Sequence, residues 1–196
     1  LGLFISILFF TLIFLSVNFG GLPFLAATKD NPFLKNEESI FYGLISNIGI
    51  LLWILSLSLN LYGYGSNKKK YQNIFLIGAL TSASLLIADF FDLQNVYQKS
   101  VYFFLMINSF FLFFYSAKFT LIKNKLISLF LSFSFFFAAM FIDILQGYKI
   151  FVPILFYSHV FEELFEFLGG SYYLFYWIEV FRKINKLKNK KTLIKN

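Results

Sequence analysis

The feature that most limits what this chain can fold into is a set of six long apolar runs, at residues 1–19, 39–61, 71–91, 101–117, 126–145 and 154–181. Each lies near the roughly 20 residues that a helix needs to cross a hydrocarbon layer of about 30 Å. Breakers stand between most of them: Gly20, Gly21 and Pro23, then Gly63 and Gly65, then Gln98 to Ser100, then Gly147 and Pro153. Pro153 suits the opening of a helix, where its missing N–H would have no partner anyway. Hydrophobic types make up 59% of the 196 residues and charged types 14%, with a mean hydropathy of +0.72. A soluble domain sits near 45–50% and about a quarter, and its interior cannot hide this much apolar surface. The expected fold class is therefore all-α: an integral membrane, six-helix transmembrane bundle. Residues 1–182 are expected to form a single transmembrane domain and residues 183–196 a basic tail.

The first run, which begins at Leu1, is expected to be a retained helix rather than a signal peptide. It shows no basic n-region, and its apolar stretch exceeds the usual 7–15 residues or so. Aromatic content needs no functional cause. The 31 Phe accompany 16 Lys to one Arg, a bias that an AT-rich genome imposes through its codons whatever the fold.

The loops give the bundle a direction. Lys68, Lys69 and Lys70, then Lys118, Lys123 and Lys125, then Arg182 and the lysines after it place 13 of the 17 cations on alternate segments. The opposite set holds Lys29, Lys35, Lys99 and Lys149. The positive-inside rule then puts both termini in the cytoplasm, in a bacterial inner membrane or the equivalent side of an organellar one. The net charge of +7 is read as topogenic lysines beside anionic headgroups, not as a nucleic-acid surface. Glu179 and Arg182, three apart, read as an interfacial ion pair. Gly78 with Ser82, and Ala79 with Ala83, give the third run a small face that allows close helix approach.

The acids carry the most unusual chemistry. Asp89, Asp92, Asp143, Glu162, Glu163 and Glu166 lie in apolar runs or at their ends. Counting from each helix's cytoplasmic cation at about 1.5 Å per residue puts Asp89 and Asp143 roughly 28 and 27 Å away. Glu162 and Glu166 come out roughly 30 and 24 Å from Arg182. Three helices thus bring acids to one outer level, where the carboxyls of Asp89, Asp143 and Glu166 are expected within about 10–12 Å of one another. His159, Glu162, Glu163 and Glu166 follow i, i+3, i+4, i+7, one stripe of the last helix. Charge in lipid is costly, so such a stripe faces the bundle interior or water. Carboxylates in a pocket of this kind are protonated, hold a cation or stay hydrated, and they titrate together.

Asp92, Glu162 and Glu163 also fit a plainer role as interfacial residues meeting water, and His159 an interfacial one without a task. If a metal binds, Asp89, Asp143, His159, Glu162 and Glu166 make an oxygen-rich set suited to Mg²⁺, Ca²⁺ or Mn²⁺. With no Cys and one His, disulfides, Fe–S clusters, haem and multi-histidine zinc sites are not expected. The string Ala88 to Asp92 is a lone D-x-x-D, without the second acidic motif or basic clamp that magnesium-pyrophosphate chemistry uses.

At these strings the chain resembles a group of uncharacterised polytopic membrane proteins of cyanobacteria and other bacteria. The counterparts are Leu86-Ile87-Ala88-Asp89-Phe90-Phe91, Ile142-Asp143-Ile144-Leu145 and Phe161 to Gly169. The resemblance implies a bundle of six or seven membrane helices and no known activity. Gln94 and Asn95 stand where the group often has a His-Glu pair, and Glu166 where it often has Lys. A likeness to ceramidase-type membrane hydrolases fails on chemistry, because their zinc needs several histidines.

Three functions fit these residues. One is a proton- or cation-binding transport or channel-like protein with the acids as its outer site. Another is a structural or assembly subunit, in which the acids meet a partner's basic residues or a second copy of the chain. A third is a divalent-metal enzyme acting on a lipid headgroup or polyprenyl phosphate. The lipid bilayer is the partner common to all. Because the chain has no Cys, single Lys69→Cys and Lys149→Cys variants test the topology directly. An impermeant maleimide should label them from opposite sides of the membrane; labelling from the same side overturns the N-in/C-in arrangement.

Overall fold

A computed structural model describes residues 2–20, 44–67, 69–90, 104–105, 107–116, 126–147 and 155–193. Six helices account for nearly all of them: α1 Gly2–Gly20, α2 Leu44–Ser66, α3 Lys69–Phe90, α4 Ile107–Ser116, α5 Leu126–Gly147 and α6 Leu155–Leu193. No strand occurs among the described residues. The stretch Ile48–Ser66 of α2 is long and apolar enough to cross a bilayer, and Tyr71–Ile87, Ile107–Ser116 and Leu126–Ile142 are shorter apolar helical stretches.

Several polar side chains in these helices are satisfied by their own helix. Thr11, Thr81, Ser82 and Ser84 each donate a hydroxyl to the carbonyl four residues back, at 2.7 to 3.0 Å. Asn60 Nδ2 does the same to Ser56 O at 2.8 Å. Such back-bonding lets a hydroxyl or amide sit on an apolar helix without leaving its donor bare. The end of α2 uses the same device. A helix leaves its last carbonyls without N–H partners, and Asn67 Nδ2 donates to Gly63 O at 2.8 Å.

The chain divides into two compact units, residues 1–51 with 132–171, and residues 52–131 with 172–196. In the first, α1 and the later part of α5 pack on the start of α6. Phe9, fully buried, meets Phe167 at a ring separation of 5.6 Å, and Phe135 stacks on Phe165 at 5.9 Å. Gly169 permits the close approach of α5 and α6: a Cβ there would lie 2.8 Å from Phe136 Cε1. Ser132 Oγ, also buried, donates to Gly169 O at 2.8 Å across the same contact.

In the second unit, α2, α3 and the later part of α6 share an aromatic seam. Trp177, Tyr173, Tyr176 and Phe75 are its fully buried aromatic members. Contact order gives the directions. Along α3 the residues Phe75, Gly78 and Ser82 meet Phe181, Trp177 and Tyr173 in turn, so α3 runs antiparallel to α6. Along α2, Trp53 meets Tyr173 and Tyr62 meets Phe181, so α2 runs parallel to α6. Gly78 is the tightest point. A Cβ there would collide with the six-membered ring of Trp177 and come within 2.5 Å of Asn60 Oδ1.

Gly78→Ala is therefore expected to lower stability by about 1–3 kcal/mol, the usual range for overpacking. Trp177→Phe, which withdraws the clashing ring atoms, should recover part of that loss in the double variant. Gly169→Ala should cost less, since it meets the movable tip of a Phe ring. Thermal unfolding of the purified protein checks the order; equal losses at Gly78 and Gly169 would contradict it.

Candidate functional site

The acidic residues that sequence reasoning singled out divide by position. Asp92 lies outside the described residues. Asp89 is on α3, Asp143 on α5 and His159 on α6, but their side chains also lie outside the described set, as does the expected convergence of Asp89, Asp143 and Glu166. Glu162, Glu163 and Glu166 are half-buried on α6, and each takes part in an interaction. They belong to the first unit, beside the α5–α6 contact at Gly169. Among the described residues, no three His, Cys, Asp or Glu side chains come together as a metal-holding group. On the same helix, Glu179 is half-buried and Arg182 exposed.

A second constellation escaped sequence reasoning. In the second unit, Ser56 and Asn60 of α2, Ser82 of α3 and Ser116 of α4 are all fully buried beside the aromatic seam of α6. Tyr173 Oη donates to Gly78 O at 3.1 Å and lies 3.4 Å from Ser82 Oγ. Tyr176 Oη donates to Ser116 Oγ at 3.0 Å. These bonds tie α6 to α3 and to α4. Among the described residues, two buried polar atoms of this layer have no hydrogen-bond partner, Ser56 Oγ and Asn60 Oδ1, whereas the Trp177 N–H has the Tyr173 hydroxyl as its partner. Asn60 is also one of the residues that flank Gly78. The layer is thus polar without being charged, and half-satisfied. The signal that could have found it is the i, i+4 pair Ser56/Asn60 inside an apolar run, matched by Tyr173, Tyr176 and Trp177 at helical spacing.

The described residues define an all-helical protein with carboxylates on one half of its last helix and a buried hydroxyl–amide layer beside the other. Residues 2–180 match a family described as a domain of unknown function, DUF8692, and the chain belongs to that family. No match to it was found among curated proteins or among solved structures.

Substitutions separate the satisfied from the unsatisfied part of the layer. Tyr173→Phe and Tyr176→Phe should each cost about 1 kcal/mol, or roughly 2–4 °C in melting temperature. Asn60→Leu should be neutral or slightly stabilising, because it removes a buried acceptor that has no partner. If Asn60→Leu proves more damaging than Tyr173→Phe, the Asn60 amide does more than fill space.

Proposed function

We propose that the chain is an integral membrane protein, a six-helix bundle with both termini on the cytoplasmic side, that binds protons or cations as a transport or channel-like protein. Residues 1–182 form the transmembrane domain and 183–196 the basic tail. The observation that carries the membrane reading is exposure. Every one of the six helices presents large apolar side chains to its surroundings, among them Phe4, Leu55, Leu80, Phe111, Ile127 and Phe161, each close to half exposed or more. Soluble monomers seldom expose contiguous apolar patches beyond a few hundred Å², whereas lipid is the natural solvent for such faces. The resemblance to polytopic bacterial membrane proteins supports the same reading.

Within that bundle the half-buried carboxylates of α6, with Asp143 of the same unit, are the residues chosen for ion binding. A structural or assembly role is the second reading. It is favoured by the stripe of Phe110, Phe111 and Phe114 on α4, each at least half exposed, a face that another helix can cover as well as lipid.

Glu166 decides between them. Glu166→Gln should insert and fold normally, with a melting temperature within about 2–4 °C of the parent, a change of roughly 1 kcal/mol. Its pH- or cation-dependent flux in proteoliposomes should be lost. Glu166→Lys should misassemble or require a second substitution in Asp143. Failure of Glu166→Gln to assemble, with ion dependence intact, would make the residue a structural carboxylate and the assembly reading the better one.

A further inference from the structure

At the end of the second unit where α3 begins, the surface changes character. Lys69 opens α3, and because α3 runs antiparallel to α6, this end is also the one toward which α6 carries Arg182 and Lys186. All three cations are exposed. The exposed aromatics change in step. Tyr62 and Tyr64 near the end of α2 stand here, 64% and 40% exposed, beside the exposed Leu61. Tyrosine with lysine and arginine at one level is the composition of a headgroup layer.

An open groove lies at this level. It is lined by Phe181, Arg182, Asn185 and Lys186 and has a volume of about 460 Å³. The helix is amphipathic here. Val180 and Ile184 are buried, while Arg182 and Lys186, four apart, lie on the exposed side. Phe181 is fixed between the rings of Tyr62, at 5.5 Å, and Phe75, at 6.3 Å. The groove therefore has an aromatic wall and an almost wholly apolar lining, to which Arg182 and Lys186 contribute chiefly their aliphatic stems, so an acyl chain fits it with the two exposed cations beside its mouth.

We infer that this groove on α6 is a binding site for one anionic phospholipid, with Arg182 and Lys186 on the headgroup phosphate, Asn185 as a neutral hydrogen-bonding group, and Phe181 against the glycerol and upper acyl chain. Planar, forked Arg suits a phosphate oxygen pair, and Lys adds a mobile point charge. The site deepens, and rests on, the membrane reading above. It differs from a diffuse basic tail because Arg182 and Lys186 stand one helical turn apart beside a groove that Phe181 walls.

The test uses the full chain extracted from membranes in mild detergent and incubated with equimolar phosphatidylglycerol and phosphatidylcholine, with retained lipid counted by native mass spectrometry. The parent should retain phosphatidylglycerol preferentially. R182Q/K186Q should lose that preference by roughly tenfold or more, as expected for two contacts each near 1 kcal/mol. K190Q/K191Q, which removes the same charge from the same end, should keep it. Equal loss in both double variants, or none in either, overturns the site. Displacement of the lipid by millimolar inorganic phosphate overturns the lipid assignment. Membrane fractionation separates the two levels. A chain that resists carbonate extraction but shows no lipid preference lacks only the site, whereas one that carbonate releases is not an integral membrane protein at all.

Discussion

The second unit depends on one missing side chain. Gly78 leaves the space that the six-membered ring of Trp177 fills, and Asn60 closes on the same point from α2. Any Cβ there would push at least one of the two away, and both are on helices that the rest of the seam uses. From that contact the register of three helices follows. With Gly78 level with Trp177, Phe75 falls at Phe181 and Ser82 at Tyr173, one helical turn to either side. The Tyr173 hydroxyl then reaches the Gly78 carbonyl, so the glycine that allows the approach also supplies the acceptor that fixes it.

Polar groups inside such a seam obey strict accounting. A hydroxyl that bonds its own helix, as Ser82 does to Gly78 O, costs little and commits to nothing. A hydroxyl that bonds another helix, as Tyr176 does to Ser116, sets register, though the net worth of one such bond is only about 0.5–1.5 kcal/mol. The seam is held mainly by ring packing, with the bonds choosing among packings of similar energy. Against this background Ser56 Oγ and Asn60 Oδ1, without a partner among the described residues, are the exception. Each such atom carries a penalty of about 1–3 kcal/mol, which ring packing around Gly78 has to offset.

Much of this architecture is legible in the amino-acid sequence alone. Six apolar runs correspond to six helices, and the small face at Gly78 and Ser82 and the glycine at position 169 sit where helices come closest. Small residues in an apolar run have few other uses, which is why they can be read. The layer of Ser56, Asn60, Tyr173, Tyr176 and Trp177 cannot. A helix apolar on all sides gives no amphipathic period to say which face is inward, so the partners of Tyr173 cannot be assigned from spacing. Among 31 Phe the buried Tyr and Trp, whose polar ends need partners, do not stand out. The acids are legible as oddities because charge is rare in such runs. Their chemistry is not, since it depends on side-chain directions that three of the positions, Asp89, Asp143 and His159, do not define.

α6 ties these strands together, because its charge is distributed by sign along its length. Glu162, Glu163 and Glu166 stand toward its N-terminal half, and Arg182, Lys183, Lys186 and the later lysines toward its C-terminal end. Between Glu166 and Glu179 there is no charged residue. That order makes the two ends of α6 chemically inequivalent, acidic toward the start and basic toward the finish. The aromatic seam registers α2 and α3 against the later, basic part of the helix, so the start of α3 stands at the end toward which α6 carries its cations.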